Sequence, residues 1–138
     1  VAGLLEVEVL RIYDAPETTY MWDKSDPYVK LVLHDGQFDE RGHHIGEQMQ
    51  TTVKEDAGSK AEYNETFKVN KPENMDVVRV FLYDKNAVAA DELLGSLDVD
   101  LKTIYEDGKH GKKVQRSLEL VKGGKTTAKV DLTFAIKA

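Results

Sequence analysis

Hydrophobic residues recur at every second position in short runs along most of the chain, and this period of two limits the possible fold more than any other feature. Leu5, Val7 and Val9 alternate with other residues, and residues 77–83 have the sequence VVRVFLY. Alternation of this kind is typical of strands with one buried face. Branched and aromatic side chains also favour strands. The chain is therefore predicted to be all-β.

The sequence predicts eight short strands separated by turns. Besides the runs at residues 5–10 and 77–83, we expect strands at residues 28–33, 51–54, 65–69, 97–101, 117–121 and 128–136. Gly123 and Gly124 predict a tight turn between the last two strands, and residues 101–107 predict a helical turn that ends at Gly108. Short, regularly spaced strands indicate a sandwich or barrel. We find no linker or internal repeat, so residues 1–138 are expected to form one domain.

Three longer segments are predicted to be loops, at residues 14–25, 35–48 and 84–94. Loops on a rigid β scaffold commonly carry binding residues. The second loop contains His43 and His44, but adjacent side chains of an extended segment point to opposite sides. An exposed loop is therefore favoured over a metal site at this histidine pair.

Charge is unevenly distributed along the chain. Residues 1–101 carry 10 basic and 21 acidic side chains, and residues 102–138 carry 9 and 4, so the net charges of −11 and +5 sum to −6. An acidic domain binds nucleic acid poorly, because duplex affinity depends on neutralising phosphates; no nucleic-acid partner is expected. The chain has no Cys, which excludes a disulfide scaffold and a cysteine nucleophile and fits a cytoplasmic location. We find neither a signal peptide nor a bilayer-spanning segment.

The sequence predicts cation binding rather than catalysis. It has no nucleophile elbow, no zinc-protease motif and no phosphate-cradling loop, so we expect that the chain is not an enzyme. Calcium prefers carboxylate and carbonyl oxygens, and the first and third loops gather Asp23, Asp26, Asp84, Asn86, Asp91 and Glu92. The alternative is that these side chains cap turns and neighbouring amides.

Five motifs, collinear along the chain, resemble those of the C2 domain family. They are Gly3-x-Leu5-x-Val7-x-Val9, KSDPYVK at residues 24–30, YNETF at 63–67 with Tyr in place of the usual Trp, Val80-x-Leu82-x-Asp84-x-Asn86, and DELLG at 91–95. The resemblance extends from residue 3 to residue 136. It implies an eight-stranded antiparallel Greek-key β-sandwich whose loops at one end bind calcium and phospholipid. The early first motif and the extra last strand are similar to the family's circularly permuted form, type II.

The resemblance also implies a calcium site with departures from the family pattern. Asp26, Asp84, Asn86 and Glu92 fall on ligand positions, with Asp23 or Asp91 as additional ligands. An earlier acidic position falls on Tyr20, and Asn86 keeps an oxygen without a charge. Because calcium affinity depends on the number of charged ligands, we expect weak binding of one or two calcium ions, with membrane phosphate completing the shell. The competing hypothesis is a site that binds no calcium.

Apolar residues at two loop tips are typical of membrane contact. Tyr20, Met21 and Trp22 lie in the first loop, and Val88 lies in the third. Aromatic side chains of this kind suit the bilayer interface; the alternative is that Trp22 packs against its own scaffold.

Lysines are expected to attract anionic lipid. Lys30 and Lys54 remain from the basic patch that many family members carry, and the last quarter of the chain adds Lys109, Lys112, Lys113, Lys122 and Lys125. We therefore expect a non-enzymatic, calcium-dependent module that binds anionic phospholipid membranes peripherally. The alternative is a calcium-independent adaptor for a protein partner that uses a sheet face or residues 35–48. A third possibility is an appendage of an enzyme whose catalytic domain lies outside this sequence.

Overall fold

A computed structural model describes residues 1–16, 24–38 and 44–138 of the protein. In this part of the chain, eight antiparallel strands and one short helix form, which confirms the all-β prediction. The elements are β1 (Gly3–Tyr13), β2 (Pro27–Phe38), β3 (His44–Gln50), β4 (Ala61–Lys71), β5 (Val77–Asp84), β6 (Glu92–Asp100), α1 (Leu101–Asp107), β7 (Val114–Lys122) and β8 (Lys125–Lys137).

The strands form two four-stranded layers joined at one edge. Their hydrogen-bonded order is β3-β2-β5-β6-β7-β8-β1-β4. Between β6 and β7 the pairing consists of Ser96 with Val121, whereas the other neighbours share long ladders. Because β6 and β7 share so short a pairing, the strand order divides there into the layers β3-β2-β5-β6 and β7-β8-β1-β4. The last strand, β8, lies between β7 and the first strand, which is the permuted arrangement that the resemblance implies.

The hydrophobic core lies between the two layers. Leu5, Val7 and Val9 of β1 belong to the same buried cluster as Val80 and Leu82 of β5, and none of these side chains is exposed. Their spacing of two residues directs each side chain to the same face of its strand. Burying a side chain of this size contributes about 1.5–3 kcal/mol, so the alternating pattern drives the layers together.

The strand predicted at residues 51–54 is wrong, since β3 ends at Gln50. The Thr51 N–H donates to the Val29 carbonyl at 2.9 Å, but the Val29 N–H donates to the Thr51 hydroxyl, also at 2.9 Å. A side-chain oxygen thus replaces the backbone carbonyl that a regular ladder would use. The segment continues beside β2 without forming a strand.

The long loop predicted at residues 35–48 is also wrong. The strand β2 continues to Phe38 and β3 begins at His44, with His34 paired to Gly46 and an irregularity before the next pair. Gly36 has a φ of +90°, which glycine adopts without strain. The glycine therefore marks a bulge within the hairpin rather than the end of the strand.

Two local predictions are confirmed. The helical turn forms at Leu101–Asp107, where the Asp100 side chain accepts the Lys102 N–H at 2.9 Å and Gly108 follows as the C-cap. Gly123 and Gly124 have φ values of 62° and 77° and connect β7 to β8. Positive φ at both positions is characteristic of the tight turn that matches strand twist.

Candidate functional site

The antiparallel strands bring four connections to one end of the sandwich, which we call the loop end. These are the β1–β2, β3–β4, β5–β6 and β7–β8 connections. Cross-strand pairs at this end include Pro27 with Asp84 and Tyr13 with Lys129. The other end, which we call the opposite end, carries the β4–β5 turn, α1 and the end of β8. The described parts of the predicted first loop, residues 14–16 and 24–25, therefore share one end of the molecule with the predicted third loop.

Backbone hydrogen bonds join three of these connections around Asp26. The Asp26 N–H donates to Oδ1 of Asp84 at 2.9 Å, and the Lys85 N–H donates to the Asp26 carbonyl at 3.1 Å. From the β3–β4 connection, the Asp56 N–H donates to Oδ1 of Asp26 at 2.7 Å. The carboxylates of Asp26 and Asp84 thus organise these loops by accepting backbone N–H groups.

The predicted ligand Glu92 also reaches the loop end. It is paired directly with Asp84 across β5 and β6, and directly paired residues of an antiparallel ladder project from the same face. Asp84 is 8% exposed, whereas Glu92 is exposed. Asn86 follows two residues after Asp84, and its side-chain amide donates to the Ala90 carbonyl at 2.9 Å. Four predicted ligand positions are consequently gathered at this end of the molecule.

Asp91 is engaged by contacts with β2 and with its own loop. The Tyr28 hydroxyl donates to Oδ2 at 2.5 Å, the Asn86 N–H donates to Oδ1 at 2.9 Å, and Nζ of Lys85 lies 3.5 Å from Oδ2. These contacts, the Tyr28 hydrogen bond foremost, hold the pKa of Asp91 below its ordinary value. Desolvation by burial, followed by the hydrogen bond to Asp91, raises the pKa of Tyr28. As a calcium ligand, Asp91 would have to give up bonds that fix the β5–β6 loop.

The loop end contains a cleft of about 360 Å³ with residues that the sequence analysis missed. Its lining comprises Asp26, Val53, Glu55, Asp56, Lys85, Asn86 and Ala87. Glu55 and Asp56 were missed because they follow the segment mistaken for a strand, although the run Glu-Asp-Ala-Gly-Ser has the composition of a turn. Nothing local predicts Lys85, since its partner depends on the loop conformation.

The candidate ligands at the loop end match calcium in the kind of donor atom, and two of them, Asp26 and Asn86, line the cleft. Asp26, Asp84, Asn86 and Glu92 offer hard oxygen atoms, and calcium takes 6 to 8 of them. Within residues 1–16, 24–38 and 44–138, no group of three or more His, Cys, Asp or Glu side chains is arranged to hold a metal ion. Lys85 also lines the cleft. The described residues therefore offer oxygen atoms of the kind calcium prefers but no ready-made cluster of acids.

The tip of the β5–β6 loop is apolar and fully accessible. Val88 is 100% exposed, and the alanines on either side of it are exposed as well. The remaining predicted residues of the first loop, Tyr20, Met21, Trp22 and Asp23, lie outside the described residues. In the part of the chain that the structure covers, no helix is long and apolar enough to cross a bilayer.

The two lysines predicted to bind anionic lipid lie in different settings. Lys30 is paired with Gln50 and Phe81 on the outer face of the β3-β2-β5-β6 layer, since its neighbours Val29 and Leu31 face the core. The Tyr28 and Tyr83 rings stack on this face with centroids 5.5 Å apart.

Lys54 lies in the β3–β4 connection, where its Nζ is 5.7 Å from the centroid of the Tyr63 ring. Its backbone N–H donates to the Pro27 carbonyl at 3.1 Å.

The lysines of the last quarter divide between the two ends. Lys122 and Lys125 flank the Gly123–Gly124 turn at the loop end and are exposed. Lys109, Lys112 and Lys113 follow α1 at the opposite end. The basic excess of this quarter, which the sequence presents as one block, is therefore two separate patches.

Comparisons with known proteins agree with this architecture. The C2A domain of plant extended synaptotagmin 1 has a TM-score of 0.74 at 24% identity, with 98% of this chain and 94% of that chain covered. Human GIVD cytosolic phospholipase A2, solved with methyl gamma-linolenyl fluorophosphonate, has a TM-score of 0.72 at 20% identity. This chain covers 17% of that phospholipase chain. The SMP-C2A-C2B structure of extended synaptotagmin 2 has a TM-score of 0.69 at 20% identity. The match covers 96% of this chain and 26% of that chain.

The sequence itself carries the family assignment. No curated protein matches the chain significantly, but the sequence profile described as C2 domain matches residues 3–119. This match supports a membrane- or lipid-binding module in general terms, of a family that is typically non-enzymatic. The chain belongs to the C2 domain family.

Proposed function

We propose that this chain is a non-enzymatic module that binds anionic phospholipid membranes peripherally through its loop end. The observation that carries the proposal is the convergence of three connections on Asp26, with the fully exposed Val88 beside them. A fully exposed apolar tip stays hydrated in water, and insertion into lipid removes its apolar area from water. Lys122 and Lys125 at the same end would attract anionic head groups.

We further propose that one weakly bound calcium ion links the loop end to lipid. Asp26, Asp84, Asn86 and Glu92 would hold the ion, and Asp23 and membrane phosphate oxygens would complete its shell. A bound cation would supply two positive charges, which would offset the net charge of −2 of the four charged residues lining the cleft, Asp26, Glu55, Asp56 and Lys85, and so remove their repulsion of anionic lipid. The contact between the Asp26 N–H and Oδ1 of Asp84 supports this proposal, because it brings two residues with the carboxylate oxygens that calcium prefers to the same part of the loop end.

A specific observation favours a second candidate, a calcium-independent adaptor for a protein partner. Lys85 lines the cleft and its ammonium group lies 3.5 Å from Asp91, so the loop end carries one positive charge without a metal. Tyr28, Phe81 and Tyr83 form consecutive ring stacks on the outer face of β2 and β5. Aromatic residues are enriched in protein interfaces, which makes this face the surface such a partner would use.

The experiment that tests calcium dependence uses Trp22, the one Trp in the chain. Calcium is titrated while Trp22 emission is recorded, with and without phosphatidylserine vesicles. The proposal expects a blue shift that requires both calcium and vesicles. Asp84→Asn should abolish it. Asp35→Asn makes the same chemical change at an exposed position on β2 and should leave it unchanged.

Each outcome discriminates between the two candidates. A shift with calcium alone would support an ion site without membrane contact. A shift with vesicles alone would retain the membrane and remove calcium from the proposal. If neither addition changes the emission and calorimetry detects no heat of calcium binding, the adaptor becomes the better account of this protein.

A further inference from the structure

The segment that follows α1 forms an ordered basic surface at the opposite end of the sandwich. Lys109 and His110 adopt φ values of 50° and 66°, a conformation that side-chain-bearing residues seldom adopt. Backbone hydrogen bonds hold it, with the His110 N–H donating to the Tyr105 carbonyl at 3.0 Å and the Lys112 N–H to the Gly108 carbonyl at 2.8 Å. The His110 ring stacks on Tyr105 with centroids 4.6 Å apart. The lysines therefore project from a defined backbone.

Four exposed lysines lie at the opposite end of the sandwich, and we call this group the basic end. Lys109, Lys112 and Lys113 come from residues 108–113, and Lys137 ends β8, which pairs with β7 where β7 begins. None of the four makes an ion pair with a described residue.

Of the four acids around the basic end, Asp107 and Asp76 are paired with cations outside it, so two acids remain to face its four lysines. Asp107 is paired with Arg116, and Glu106 lies 3.7 Å from His110. In the β4–β5 turn, Asp76 contacts the buried Lys71 at 2.7 Å, and Glu73 is exposed. The basic end thus retains positive charge although the protein as a whole is acidic.

The chemistry of the basic end suits an anionic bilayer. Lysine ammonium groups are mobile point charges that impose no fixed geometry on their partner. A fluid surface of anionic head groups meets that requirement, whereas protein interfaces are anchored by Trp, Tyr or Arg side chains in desolvated pockets. None of residues 109–113 is a Trp, Tyr or Arg.

The two ends are too far apart to contact one flat bilayer when the strands stand upright on it. The strand β8 has 13 residues and runs from the loop end to the opposite end, a rise of about 40 Å at the spacing of antiparallel strands. We propose that the basic end binds a second anionic phospholipid membrane, so that the domain tethers two membranes. The tethering rests on the proposed function of the loop end, whereas lipid binding by the basic end does not.

The test compares vesicle binding with vesicle clustering. Vesicles of phosphatidylcholine and phosphatidylserine are mixed with the protein, bound protein is measured by sedimentation, and clustering is measured by light scattering. The triple variant Lys109→Gln, Lys112→Gln, Lys113→Gln should still bind vesicles through the loop end but should no longer cluster them. For single charge reversals, Lys112→Glu should reduce clustering, whereas Lys68→Glu, on an exposed position of β4, should not.

A second arm separates this proposal from that for the loop end. In the Val88→Asp, Asp84→Asn background, the remaining vesicle binding should be salt-sensitive, and the three Lys→Gln changes should weaken it by roughly 100-fold, about fivefold for each lysine. Equal clustering by the wild type and the triple variant would overturn the proposal. So would loss of all vesicle binding in the triple variant, because the basic end would then be the principal membrane site. If the loop-end changes alone have no effect on binding, the proposed function fails, and this second arm still decides lipid binding by the basic end.

Discussion

Replacing Val88 with Ala separates membrane contact from folding, because the Val88 side chain is 100% exposed. Removing an exposed side chain leaves no cavity, so the free energy of unfolding should change by no more than about 0.5 kcal/mol. Membrane affinity should fall, by contrast, if the β5–β6 tip inserts into lipid. The variant lacks two methyl groups, each worth about 0.8 kcal/mol on transfer from water to an apolar phase. Full insertion therefore predicts a loss of about 1.6 kcal/mol, roughly 15-fold in the vesicle dissociation constant.

The assay is a vesicle titration at saturating calcium, so that any ion-dependent step is complete in both proteins. Val1→Ala is the matched control, since it removes the same two methyl groups from a side chain that is 43% exposed at the opposite end. Urea denaturation of both variants checks that folding is unchanged. The reasoning is refuted if Val88→Ala binds vesicles as tightly as Val1→Ala does, since the tip would then remain in water.

Three further changes test the loop end and its attachment to the sandwich. Lys85→Gln removes the ammonium group 3.5 Å from Asp91 and should raise calcium affinity by roughly twofold to fivefold. If calorimetry shows no increase in affinity, Lys85 does not compete with calcium at the loop end. Tyr28→Phe removes the main cause of the lowered pKa of Asp91. The Asp91 carboxylate contributes to stability above its ordinary pKa of 3.8, and this contribution is lost as the pH falls through the lower folded-state pKa. Denaturation of the variant should therefore show less acid destabilisation in that window, and an unchanged pH profile would contradict the assignment. Gly95→Ala would place a Cβ atom 2.6 Å from Oγ1 of Thr127. The change should lower the free energy of unfolding by about 1–3 kcal/mol, which urea denaturation would show as a lower midpoint. Equal midpoints for the variant and the wild type would show that β6 and β8 can separate freely.

The errors in strand prediction arose where a tertiary contact overrode a local signal. Thr51 and Thr52 have high strand propensity, yet the Thr51 hydroxyl takes the ladder position of a backbone carbonyl. Asp35 and Gly36 have the composition of a turn, but the pairing of His34 with Gly46 holds this segment in a hairpin. A single sequence does not reveal such substitutions, because they depend on which strand becomes the neighbour.

The sequence by itself determined the β class, the α1 turn and the Gly123–Gly124 connection, because alternation, capping and positive φ are local properties of adjacent residues. Its motifs also carried the resemblance to the C2 domain family, which the family profile then established. The tertiary structure alone decided how the charged groups are grouped. Tyr28 and Asp91 are 63 residues apart and share a hydrogen bond, and Asp56 reaches Asp26 from a connection that was missed. The basic last quarter is a single block in the sequence, but the nine residues of β7 lie between Lys113 and the Gly123–Gly124 turn and place its lysines at opposite ends of the molecule. Residue identity sets the number and sign of the charges, whereas chain direction and strand pairing decide which charges share a surface.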